Sequence, residues 1–170
     1  MAKVIGFKST DVRFPTSRGL DGSDAMNQDP DYSAAYLELK TDDPNLSGYG
    51  LVFTIGRGND LQCVAIDLLA PYAVGKTVDE LAKSMGEFAK SLVRDSQMRW
   101  LEAEKGLTHM AAGAVINAVW DLICKASGKP LWKYLSDLSP QEIVDLVDFR
   151  YISDAITPQE ALELLTKSKA

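Results

Sequence analysis

The stretch from Leu107 to Ala126 constrains this chain more than any other. Leu107, Met110, Ala111, Ala114, Val115, Ala118, Val119 and Leu122 recur at helical spacing and leave no wide polar face. Such a helix must be wrapped on most sides by other elements. Ala111, Ala112, Gly113 and Ala114 are small, so a neighbouring backbone can approach closely. The polar residues His109, Asn117, Asp121 and Lys125 fall four or eight apart and therefore on one line. Asn117 and Asp121 read as structural, with Asp121, one turn before Lys125, ordering the contact with neighbouring elements. The helix is expected to stop at Gly128, with Pro130 beyond it, and a short apolar turn, Leu131 to Leu135, follows.

The wrapping elements are legible on either side. Residues 3 to 14 read as a strand, bent or bulged near Gly6. Residues 33 to 41 alternate, with Ala35, Leu37 and Leu39 on one face and Tyr36, Glu38 and Lys40 on the other. Residues 49 to 55 are rich in β-formers. Short turns between them predict an antiparallel meander. Gly56-Arg57-Gly58 is half of a dinucleotide fingerprint, but position 61 is Leu, so a tight turn explains it better. Residues 60 to 73 place Leu61, Val64, Ala65, Leu68, Leu69 and Tyr72 at helical spacing. Thr77 to Glu80 is a capping box that opens a helix carrying Leu81, Met85, Phe88, Ala89 and Leu92. A second capping box at Ser139 opens a short helix, and residues 144 to 152 then read as a strand. A third box at Thr157 opens a last helix. One strand and one helix cannot make a sheet, so residues 139 to 170 look like the beginning of a larger unit.

The chain has 170 residues, enough for one domain but short of the roughly 250 of a complete (β/α)8 barrel. With 18 basic and 24 acidic residues the net charge is −6, which disfavours nucleic acid as a partner. The N-terminus lacks a signal-peptide core and there is no unbroken run of 18 apolar residues, so no membrane span is expected. Cys63 and Cys124 lie among apolar residues without a metal spacing and read as reduced core thiols, in keeping with a soluble cytoplasmic protein.

Residues 15 to 32, PTSRGLDGSDAMNQDPDY, have neither a helical nor a strand period. Loops of this length are uncommon in compact domains and are usually functional covers or disordered. Four aspartates, Asp21, Asp24, Asp29 and Asp31, do not meet the calcium-loop pattern. Carboxylates and a tyrosine hydroxyl suit sugar hydroxyls better, and Gly22 lets backbone come close. His109, the sole histidine, has no partner at an informative spacing for nucleophilic catalysis.

The run from Ala114 through Asn117, Ala118, Trp120, Asp121 and Lys125 to Gly128, Pro130, Leu131 and Trp132 resembles the signature of the N-terminal capping domain of the enolase superfamily, in its mandelate racemase-like branch. Asp11 to Ser17, Asp24 to Met26 with Asp29 to Tyr36, Gly48 to Gly58, and Asp148 to Asp154 narrow the resemblance to the L-fuconate dehydratases of that superfamily. The resemblance covers essentially the whole chain.

The resemblance implies an α+β fold: a three-stranded antiparallel meander plus a helical bundle over residues 1–138, followed over 139–170 by the first βα unit of a (β/α)8 barrel. It implies a Mg2+-dependent lyase that removes water from L-fuconate. In that family the proton abstraction, the metal ligands and the acid lie on later barrel strands, so no catalytic residue and no metal ligand is expected here. It further implies that Gly22, Ser23, Asp24 and Tyr32, in the long loop, contact the acid-sugar substrate, and that Tyr151 and Ser153 lie near the first barrel strand's end. The expected partners are the barrel segment and further copies of the intact enzyme. The alternatives are a non-catalytic binding module that kept the cap, or another sugar-acid dehydratase or racemase of the same superfamily.

Overall fold

The computed structural model describes residues 2–102 and 104–169; Ala170, the last residue of the expected 139–170 unit, lies outside them. Three strands, β1 (Val4–Arg13), β2 (Ser33–Thr41) and β3 (Ser47–Thr54), form an antiparallel sheet in the order β1-β2-β3. This is the expected meander, and the register shifts between Val4 and Gly6, where the bulge was anticipated. The helices are α1 (Asn59–Leu69), α2 (Val78–Lys83), α3 (Met85–Val93), α4 (Gly106–Ser127), α5 (Leu131–Asp137), α6 (Pro140–Leu146) and α7 (Pro158–Lys169). Ala35, Leu37 and Leu39 point inward from β2 and are wholly buried. They meet Ala111, Val115, Ala118, Val119 and Leu122 of α4, which are equally buried, with Ile66 and Leu69 of α1 and Leu81 and Leu92 of α2 and α3 completing the core.

The closest layer contact is between β3 and α4. Gly48 and Gly50 occupy the inward positions of β3 where a side chain would normally stand. A Cβ on Gly50 would lie 2.0 Å from the Ala114 carbonyl oxygen, and one on Gly48 would lie 2.2 Å from that of Ala118. Backbone therefore packs on backbone. This brings the polar line of α4 alongside the free edge of the sheet. Asp121 accepts the Tyr49 N–H at 2.8 Å, and Lys125 donates to the Ser47 carbonyl at 3.1 Å while pairing with Asp121. Two side chains thus occupy the edge hydrogen-bonding groups that would otherwise invite another strand. Lys125 also sits 4.5 Å over the Tyr49 ring. Asp121 has the interface role expected of it. By length and composition α4 could cross a bilayer, but half of its most apolar window is inside this core.

Four sequence readings are corrected. The helix from Thr77 is two helices: the backbone breaks at Ser84, whose hydroxyl donates to the Glu80 carbonyl at 2.7 Å. The apolar turn after Pro130 is helical, α5. Leu61, Val64 and Leu68 of α1 are more than half exposed, because the core face of that helix carries Asn59, Gln62, Ala65, Ile66 and Leu69 instead. Residues 144–152 are not a strand, so the first βα unit of a barrel is not formed here. The Ser139 capping box, with both reciprocal bonds made, carries the helix through Leu146, and Val144 is buried as a helical residue. Gly86 lets α3 meet α6: a Cβ there would lie 2.0 Å from the Asp145 carbonyl oxygen. Asp148 then accepts the Arg150 N–H at 3.1 Å and turns the chain into a 3-10 turn at Phe149–Tyr151.

The glycine contacts predict opposite outcomes for one substitution. Gly50→Ala should lower stability by about 3 kcal/mol, since the added methyl overlaps backbone that cannot yield. Gly113→Ala, in α4 with open space around the added atom, should raise it by about 0.5–1 kcal/mol. Urea unfolding of the two variants measures both.

Candidate functional site

The long loop leaves β1 at Arg13 and rejoins β2 at Ser33, so its two ends are adjacent strand termini. Its neck is closed by hydrogen bonds. The Phe14 N–H donates to the Tyr32 carbonyl at 2.8 Å. The Thr16 hydroxyl donates to the Pro30 carbonyl at 2.8 Å and accepts the Tyr32 N–H at 2.9 Å. Asp31 accepts the Ser17 N–H at 3.1 Å and donates its own N–H to the Ile55 carbonyl at 3.2 Å; the Ser17 side chain first, and its N–H second, hold the Asp31 carboxyl below the usual range. Above the neck a 3-10 turn at Thr16–Arg18 leads into exposed turns. Leu20 adopts a left-handed conformation, φ 55°, that costs an L-residue roughly 1–2 kcal/mol.

The structure brings two of the four expected substrate-contacting residues together. Gly22 has φ 74°, and the Tyr32 hydroxyl lies over it so closely that a Cβ would be 1.8 Å away. The other side of the Tyr32 ring meets Phe53 edge-on, with centroids 5.4 Å apart. Asp24 makes a turn of its own: its carboxylate accepts the N–H groups of Met26 and Asn27, each at 2.7 Å, and the Asn27 side-chain amide. The Asn27 backbone bond leads in holding the Asp24 carboxyl below the ordinary aspartate value, its side-chain bond and the Met26 N–H adding to it. Ser23 is exposed on the same turn, its N–H on the Leu20 carbonyl at 3.2 Å. Tyr151 and Ser153 do not stand at a strand end: Tyr151 lies in the 3-10 turn with its hydroxyl donating to Glu104 at 2.7 Å, and Ser153 is exposed.

Sequence reasoning missed the polar cluster beneath the loop. Asn59, the first residue of α1, is wholly buried. Its Oδ1 accepts the Thr54 hydroxyl at 2.7 Å and its Nδ2 donates to Asp11 at 2.5 Å. Asp11 is also clasped by Arg13, at 3.0 Å from Nε and 2.7 Å from a terminal nitrogen; these bonds first, and Asn59 second, pull the Asp11 carboxyl below its ordinary value. Thr54 is 2.6 Å from the Ser33 hydroxyl, which accepts the Gly56 N–H at 2.9 Å. Gly56 and Gly58 have φ 130° and 95°, so the Gly-Arg-Gly segment is the tight turn that was expected. Thr54–Asn59 and Asp11–Arg13 are near neighbours, but Ser33–Thr54, Ser33–Gly56 and Asp11–Asn59 are 21 to 48 residues apart, a separation no local motif signals.

Among the described residues no group of three His, Cys, Asp or Glu side chains converges to hold a metal ion. The residues present do not fit a magnesium site. His109 and Asn117 are exposed. Cys63 is half-buried and Cys124 buried; both are free thiols, and burial is the main cause that raises each. A groove of about 880 Å³ between α3, α4 and α6, lined by Met85, Trp120, Ile123, Tyr134 and Val144, is a seam between helices; no residue of the long loop lines it.

No family model matches the chain. It is 52% identical over 167 residues to the L-galactonate dehydratase of Hypocrea jecorina, covering 98% of this chain and 37% of that one. The crystal structure of human mitochondrial enolase superfamily member 1 superposes with a TM-score of 0.91 at 44% identity, over 98% of this chain and 38% of that one. An enolase from Bradyrhizobium, crystallised with magnesium and mandelic acid, matches at TM-score 0.61 and 20% identity over 79% of this chain and 35% of that one, a likeness of fold alone. The chain thus spans a little over a third of the length of the relatives it matches. The sheet and helices match the capping-domain part of an enolase superfamily structure, and over the segment it spans the chain is similar to members of that superfamily.

Proposed function

We propose that this chain is the substrate-covering part of an acid-sugar dehydratase, and that its long loop reads the end of the sugar acid remote from the carboxylate. The observation that carries the reading is the 52% identity to an L-galactonate dehydratase across 98% of the chain. The loop supports it: a neck closed by hydrogen bonds under an exposed crown that offers a tyrosine hydroxyl, a carboxylate and a glycine backbone. L-Fuconate, the substrate suggested by the sequence resemblance, is 6-deoxy-L-galactonate. The two candidate substrates share every stereocentre and differ only in the hydroxyl on C6. A loop that covers the remote end of the acid is the part of such an enzyme that meets this difference.

In this reading Gly22, Ser23, Asp24 and Tyr32 do no chemistry. Tyr32 and Asp24 hydrogen-bond sugar hydroxyls, the backbone at Gly22 and Ser23 shapes the pocket, and the closed loop keeps bulk water out. Magnesium, which is bound in an enolase with this fold, would be held by residues other than those described here, and would supply charge neutralisation at the substrate carboxylate. The exposed apolar residues of this chain, Leu61, Val64 and Leu68 among them, are surface that such a segment or a further copy can cover.

The intact protein carrying this chain should convert L-galactonate or L-fuconate to the 2-keto-3-deoxy acid in Mg2+ and lose turnover in a chelator; no turnover on either acid would sink the proposal. Tyr32→Phe removes one hydroxyl and should raise KM about tenfold with a smaller change in kcat.

The Asp24 turn makes a separate prediction. Its carboxyl is depressed below 3.8, so the turn is held above that pH and released as pH falls through the lower folded value. Carbon-detected NMR titration should place the Asp24 midpoint below 3.8, and Asn27→Ala should move it upward.

A further inference from the structure

We propose that one polarised hydrogen-bond relay locks both ends of the long loop to the Gly56–Gly58 turn, and that Thr54 and Asn59 are positioning residues for that loop. The inference rests on the loop being a substrate cover.

The relay has a defined direction. Asp11, paired with Arg13, accepts only, so the Asn59 amide must present its nitrogen to Asp11 and its oxygen to Thr54. Reversing the amide would set two acceptors against each other. Thr54 therefore spends its single proton on Asn59, and the Ser33 hydroxyl, which also lies 3.2 Å from the Asp31 carbonyl, gives its proton to Thr54 in the shorter 2.6 Å contact. Ser33 in turn accepts from the Gly56 amide. The chain of donors runs Gly56, Ser33, Thr54, Asn59, and ends on the charge-paired Asp11. Each link polarises the next, and a partly buried network of this kind admits few alternative arrangements.

Its members are placed where they matter. Asp11 and Arg13 precede the loop by a few residues, Ser33 follows Tyr32, Thr54 ends β3, Gly56 lies in the β3–α1 turn and Asn59 begins α1. Asn59 and Ser33 are almost fully buried. The aspartate-arginine end is at the surface, so the relay ties the exposed loop to the interior rather than being part of the apolar core. With both loop ends and the turn held by one network, the crown of the loop has a single base.

Thr54→Val keeps the side-chain shape and removes the hydroxyl, leaving the buried Asn59 oxygen without its donor; Thr54→Ser keeps the hydroxyl. The relay predicts that trypsin cleaves the exposed Arg18–Gly19 bond about tenfold faster in Thr54→Val and at the original rate in Thr54→Ser. Val52→Ala weakens the buried core on the same strand without touching the relay, and should leave that cleavage within about twofold. In the intact protein Thr54→Val should raise KM for the sugar acid more than it lowers kcat, and Thr54→Ser should restore it. Unchanged cleavage in Thr54→Val, or equal acceleration in Val52→Ala, overturns the relay. Faster cleavage in Thr54→Val alone with KM unmoved supports the relay as the loop's anchor and overturns the cover reading instead.

Discussion

Everything else in this fold depends on the contact between β3 and α4. Two glycines, Gly48 and Gly50, stand where a strand would normally send side chains into the core, and the helix answers with Ala114 and Ala118. The sheet and the helix therefore meet at backbone distance. Close packing of this kind tolerates no added volume, and it fixes the helix in rotation and in height. Only at that height does Asp121 reach the Tyr49 N–H and Lys125 the Ser47 carbonyl. The edge strand is covered by side chains of the helix that packs on it, and the three-stranded sheet needs no fourth strand on that side.

The rest of the architecture follows from a sheet pinned in this way. The end of β1, the start of β2 and the end of β3 lie side by side at one end of the sheet, as the pairing of Arg13 with Ser33 and Ser33 with Thr54 requires. The first turn of α1 joins them there through Asn59. The long loop thus grows from a place where three strand ends and a helix start converge, and polar side chains bind them together. A loop of 18 residues would have high freedom if it were held only by its two peptide ends. Here its neck is closed by the hydroxyl of Thr16, the carboxylate of Asp31 and the backbone of Phe14.

What was legible in the sequence was local. The three strands, the capping boxes at Thr77 and Ser139 and the stop at Gly128 rest on side chains acting within one turn or on period-two alternation, and each is present. Asp121 was legible because its spacing from Lys125 placed both on one helix face. What failed depended on distance along the chain. The run from Val144 to Ile152 reads like a strand, yet the Ser139–Glu142 capping box carries a helix through Leu146 and Gly86 lets it pack against α3. Counting apolar residues chose Leu61, Val64 and Leu68 for the core of α1, whereas the buried face carries Asn59 and Gln62. A buried asparagine is intelligible only when Thr54 and Asp11 are seen beside it. In the loop, the pairing of Gly22 with Tyr32 could be expected from no periodicity, and Asp24, one of the four residues the resemblance implies contact the substrate, also closes a local turn with Asn27.

The central claim is that the loop from Pro15 to Tyr32 closes over a sugar acid in the intact enzyme. Hydrogen exchange of that protein, with Mg2+ present and with L-galactonate or L-fuconate added or omitted, tests it most directly. The account predicts that the backbone amides from Gly22 to Tyr32 exchange more slowly when the acid is bound, while those of the β3–α4 contact, already protected, do not change. Exchange in the loop that stays the same with saturating acid would contradict it.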